Sequence, residues 1–208
     1  ASLVDKDNTY GIALYQSYRN RNPYDADGDG FSELGKLNMN TFGLRSYYRP
    51  SLMSKLSVEY HTTNEFRRGG NAFDLEPFES DITEQTKHVI NSGGVNFDQY
   101  VNGYQHKFSA FASAQHIDRN SYYGAQKSKD AYGKTDDLTW EVGGMYTGRL
   151  GKFLFAPATL TAGIEYQQNT LNDQMLGYNR ELNQEVRIGS AFLQNEWQMN
   201  HFTLLAGF

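Results

Sequence analysis

In "LTAGIEYQ" the apolar residues Leu160, Ala162, Ile164 and Tyr166 alternate with Thr161, Gly163, Glu165 and Gln167. The same period recurs in "KLSVEY", where Leu56, Val58 and Tyr60 alternate with Lys55, Ser57 and Glu59. "DLTWEVGGMYTGRL" places Leu138, Trp140, Val142, Gly144, Tyr146, Gly148 and Leu150 on one side, and "HFTLLAGF" does so with Phe202, Leu204, Ala206 and Phe208. "TYGIALYQSYR" follows less cleanly, with Tyr10, Ile12 and Leu14 against Gly11, Ala13 and Tyr15. A period of two is the mark of a β-strand with one apolar and one polar face. This reading gives an all-β chain of about nine strands, at 8–19, 37–49, 55–66, 82–101, 105–120, 137–150, 158–171, 185–199 and 202–208.

The connections alternate in length. Long polar segments at 20–36, 67–81, 121–136 and 172–184 take turns with short ones around 50–54, 102–104, 151–157 and Asn200. That is the order of an antiparallel up-and-down meander with one elaborated rim, as in bacterial outer-membrane barrels. Several of the spans exceed the ~9–11 residues that cross hydrocarbon at a tilt, so they should project beyond it. A soluble sandwich shows the same alternation, but its strands are shorter and its inward faces more aliphatic. Composition supports the wetter architecture. The 15 Tyr, 13 Phe and 20 Gly against 4 Pro rule out a disordered chain, which lacks aromatics. No apolar run is long enough for a transmembrane helix. The net charge of −5 provides no basic surface for nucleic acid. The absence of cysteine excludes disulfides and thiolate metal sites.

The stretch "NPYDADGDGFSELGK" sets Asp25, Asp27 and Asp29 at alternate positions, followed by Gly30. These match positions 1, 3, 5 and 6 of a calcium loop, with the Phe31 carbonyl at position 7 and Glu33 at position 9. Hard carboxylate oxygens suit calcium. Position 12 is Lys36 where a bidentate Glu is usual, so Glu33 or an acidic residue of another loop (Asp74, Glu76 or Asp81) has to complete the shell. A calcium ion is the expectation, and a solvated acidic turn is the alternative. Arg67 and Arg68 are a second candidate, able to bind a phosphate, a carboxylate or an anionic chelate, or to pair with Asp74, Glu76 or Glu79 nearby. Tyr122 and Tyr123 could stack on a planar ligand or belong to an interfacial aromatic girdle.

No catalytic constellation is found: none of His61, His88, His106, His116 and His201 lies in a zinc-protease motif or beside a nucleophile elbow. There is no phosphate-cradling Gly-rich loop. The chain is therefore expected not to be an enzyme.

"DADGDGFSEL", "EYHTTNEFRRGG", "DITEQ" and "DRNSYYG" together resemble TonB-dependent outer-membrane receptors, in particular those for cobalamin and iron chelates. The resemblance covers most of the chain. It implies a bacterial outer-membrane location, contact with lipid and lipopolysaccharide, a small nutrient ligand, and a 22-stranded barrel around an N-terminal plug that TonB drives. Calcium in the extracellular loops of such receptors stiffens the ligand-facing surface. About nine strands, with neither plug nor TonB box, mark the present sequence as a piece of barrel wall, coupled to TonB only through the missing plug. A complete small barrel, acting as a pore or less readily as an outer-membrane enzyme, is the alternative.

Overall fold

The computed structural model describes all 208 residues. They form ten strands: β1 (Ser2–Val4), β2 (Tyr10–Arg21), β3 (Ser32–Ser51), β4 (Ser54–Gly70), β5 (Ile82–Val101), β6 (His106–Ala125), β7 (Tyr132–Phe153), β8 (Ala156–Met175), β9 (Arg180–Gln198) and β10 (Thr203–Gly207). Two single-turn 3₁₀ helices, Pro77–Glu79 and Leu176–Tyr178, sit in the loops. The strands make one antiparallel sheet in sequence order, each paired with its chain neighbours. β1 and β10 do not pair with each other, so the sheet is open.

The expected meander is present, with two corrections. There are ten strands, not nine, because the three residues of β1 pair with β2 through Leu3↔Ile12 and are too short to show a period. The long-loop rim is also less elaborate than its sequence suggests. β3 begins at Ser32, β4 runs to Gly70, β6 to Ala125 and β8 to Met175, leaving loops of 22–31, 71–81, 126–131 and 176–179. Polar side chains on both faces erase the alternation there, but the ladder continues, since backbone pairing does not depend on which faces are apolar. At the other rim the turns are tight, with Leu52–Met53 between Ser51↔Ser54 and Leu154–Phe155 between Phe153↔Ala156.

Register sorts the side chains. The rows Ile12↔Ser46, Ser46↔Val58, Val58↔Val95, Val95↔Ala112, Ala112↔Val142, Val142↔Tyr166 and Tyr166↔Gly189 run across eight strands on one face. Leu56, Tyr60 and Ile164 share that face. The opposite face carries Arg45↔Glu59, Glu141↔Gln167 and Gly143↔Glu165, with Lys55 and Arg149. On it Tyr47, Tyr15, Phe111 and Phe192 lie over the glycine directly across the strand pair (Gly11, Gly43, Gly143 and Gly163), filling the space a side chain would take. A hollow spanning β1 to β6 opens on this polar side, with Val4, Arg45, Tyr47, Lys55, Glu59 and Phe111 among its lining. No second layer covers either face. Only 17 of 208 residues are buried, and the one apolar cluster among them is Ala156, Ala158 and Trp197. The molecule has no two-layer core of the soluble kind.

Candidate functional site

The acidic loop folds around its own carboxylates. Asp25 accepts hydrogen bonds from the N–H of Gly28 at 2.7 Å and of Gly30 at 2.8 Å, one on each oxygen. Asp27 and Asp29 each accept from the N–H two residues on, at 3.3 and 2.8 Å, and Glu33 accepts from the N–H of Ala26 at 2.6 Å. An isolated bridge, Tyr24↔Leu34, closes the base of the loop. Gly28 and Gly30 hold φ of +78° and +90°, a region a side chain resists. The hydrogen bonds from Gly30 and then Gly28 hold the Asp25 carboxyl below the usual aspartate range.

One oxygen from each of Asp25, Asp27, Asp29 and Glu33 lies within 4.8 Å of the others. Two ligands on opposite sides of a calcium ion, each at 2.3–2.6 Å, are about 5 Å apart, so the donor set fits calcium. Glu33 is the residue that joins the three aspartates. Asp81 is engaged by Asn71, and Lys36 lies on β3 opposite Arg68, outside the cluster. The N–H of Phe31 is given to Asp29.

The two arginines point to opposite faces. Arg68 is 6% exposed and donates to the carbonyls of Leu75 (2.8 Å) and Ala72 (3.0 Å) and to Ser80 Oγ (3.0 Å), so it braces the loop 71–81 from beneath. Arg67 is on the polar face and pairs with Glu65 at 2.7 Å, which also faces His88 at 3.6 Å. The tyrosines divide the same way. Tyr122 is fully buried on the apolar side, edge-on to Tyr132 at 4.9 Å, its hydroxyl donating to the Ser128 carbonyl. Tyr123 is on the polar face, in a hollow with Arg119, Asp173, Tyr178 and Arg180.

Sequence reading missed the charge network of the polar face, beside which Tyr123 lies. On the polar face, Asp173 accepts from Thr135 at 2.5 Å and pairs with Arg180 at 2.6 Å and Arg119 at 3.4 Å. Lower on the same face, Glu59 lies between Arg45 (3.5 Å) and His61 (3.7 Å), and Tyr15 bonds to His61. Lys107 pairs with Asp98 at 3.0 Å. Apart from Glu59 and His61, two apart on one strand, only strand register brings these partners together, so no local motif could announce them.

No family model matches this sequence, and no curated protein does. Solved structures do. The copper transporter OprC superposes with a TM-score of 0.63 at 15% identity, over 97% of this chain and 34% of OprC. The alcaligin outer-membrane receptor FauA of Bordetella pertussis (TM-score 0.47, 12% identity) is matched over 99% of this chain and 39% of its own. The translocator domain of the autotransporter NalP of Neisseria meningitidis (0.46, 10%) is matched over 95% and 66%. The chain thus spans about a third of the length of OprC, and its fold is the up-and-down antiparallel sheet of an outer-membrane β-barrel wall.

Proposed function

We propose that this chain is an arc of the wall of a bacterial outer-membrane uptake receptor of the TonB-dependent kind, which takes a small nutrient such as cobalamin or an iron chelate. The observation that carries the reading is the sheet itself. Its apolar face has no protein to cover it, its polar face is lined with ion pairs, and nearly all of it superposes on a third of a larger barrel. Strands cannot stay unpaired in hydrocarbon, so β1 and β10 require further strands, and a barrel larger than ten strands provides them. Arg67 and Tyr123, on the polar face near the long-loop rim, are the residues of the original candidates best placed to meet a ligand. In cells carrying the whole protein, uptake of labelled cobalamin or ferric chelate should fall on its deletion and equally on loss of TonB. Loss on deletion alone would favour a passive pore, and no loss of either would contradict the receptor reading.

The acidic loop is proposed to hold one structural calcium ion through Asp25, Asp27, Asp29 and Glu33, with the Phe31 carbonyl as a fifth donor. With Lys36 in place of a bidentate Glu, the affinity falls in the range of extracellular modules, ~10⁻⁴–10⁻³ M. Calorimetry should show calcium uptake by the wild type and none by Asp27→Ala or Asp29→Ala. Equal uptake by all three would contradict the assignment.

A further inference from the structure

The apolar face is unequal along the strands. Towards the long loops it becomes polar and charged: Lys36, Lys87, Asp118, Lys134, Asp136, Glu185 and Arg187 all belong to this face. Towards the short turns no such skirt exists. Tyr48, Leu56, Phe97, Phe108, Leu150, Ala158 and Leu204 continue the apolar rows to within a few residues of the tips. The polar side chains among them are mostly satisfied within the protein: Ser54 donates to Gln99, Gln99 to the Met53 and Tyr100 carbonyls, and His106 bonds to Tyr146. Asn195, buried and unpaired, is the exception.

Three of the tips carry open apolar residues, beside the exposed Lys152, Asn200 and His201, whereas the turn 102–105 is polar and exposed with Tyr104 as its one large apolar side chain. Leu52 is 89% exposed, Leu154 70%, Phe202 62% and Phe155 56%. Phe155 stacks at 5.3 Å on Trp197, whose indole N–H donates to the Phe153 carbonyl. Turns that project into water have no use for such residues, which are costly to leave exposed in adjacent positions. Depth agrees. From Leu138 to Leu150 the apolar face of β7 is uncharged, and a strand of that length tilted by about 45° rises roughly 30 Å, the thickness of the hydrocarbon. The next four residues descend roughly 9 Å, about the depth of the headgroup layer. The connection 5–9 differs: Lys6 and Asp7 are charged and exposed, with the half-buried Asp5 beside them.

We propose that the short-turn rim is seated in the phospholipid headgroup zone of the inner leaflet, with Leu52, Leu154, Phe155 and Phe202 turned into lipid. This rests on the outer-membrane reading above. This chain lacks cysteine; in the whole protein, with any cysteine outside the chain replaced, single nitroxide labels are placed at Leu52→Cys, Leu154→Cys and Phe202→Cys, in liposomes of phosphatidylethanolamine and phosphatidylglycerol. Lys6→Cys serves as the aqueous reference and Ile164→Cys as the lipid reference. The expected result is broadening by a water-soluble nickel chelate at the three tips well below that at Lys6, with oxygen broadening between the values at Lys6 and Ile164, while Lys6 stays open to nickel. Tips as open to nickel as Lys6, with Ile164 protected, would overturn the inference and leave the membrane reading intact. Tips closed to both reagents would mean burial against protein and would also overturn it. Nickel broadening at Ile164 would overturn the membrane reading itself.

Discussion

Asp25 shows how far one residue in this chain was legible. The spacing of three aspartates and a glycine indicated a cation loop, and the fold gathers those side chains with Glu33. What the spacing did not show was that Asp25 is already occupied by two backbone donors, which lower its affinity for a proton. A carboxylate with a depressed folded value contributes to stability above the ordinary aspartate value of 3.8 and loses that contribution as pH falls through the folded one. The Gly28 and Gly30 amides should therefore keep their protection from exchange between neutral pH and pH 5 and lose it only below 3.8; earlier loss would mean these hydrogen bonds do not form. The neighbouring pair of glycines separates just as sharply. Gly70 has φ of +102° and a Cβ there would strike the Ile82 carbonyl, whereas a Cβ at Gly69 meets only the Glu84 side chain at 3.5 Å. Gly70→Ala should cost about 1–3 kcal/mol in denaturant titration and Gly69→Ala nearly nothing. Equal effects would contradict the described turn.

At the scale of elements, the strands were readable where one face is apolar and unreadable where both are wet. Leu138 to Leu150 declared β7 at once, but Asp136, Thr135 and Lys134 continue the same strand without any alternation to follow. Partners were harder still. Counting back from the two-residue turn at Leu52–Met53 pairs Arg45 with Tyr60. A register shift between Tyr48 and Ser51 moves the pairing by one and sets Arg45 opposite Glu59. Such a shift leaves no sequence signal here, so the ion pairs of the polar face could not be predicted. The 71–81 loop illustrates the same limit: Arg68 looked like a ligand-binding arginine and turns out to hold the carbonyls of its own loop. Arg68→Met should make that loop a preferred site of limited proteolysis while strand content by circular dichroism is unchanged. A loop that stays resistant would show that Arg68 is not its brace.

The whole molecule is a sheet whose two faces ask for different surroundings. With so few residues buried and neither edge paired, its cohesion is the backbone ladder and the cross-strand pairs, nothing within the chain covers the apolar face, and on the proposed reading lipid does. The most direct measurement is water accessibility along one strand. Single cysteines from Lys55 to His61, in the whole protein in membranes, should react with a charged maleimide at 55, 57, 59 and 61 and be protected at 56, 58 and 60, a period of two in phase with the polar face. Uniform reactivity along the strand, or protection at Glu59 with reaction at Val58, would contradict the placement of this sheet in a barrel wall.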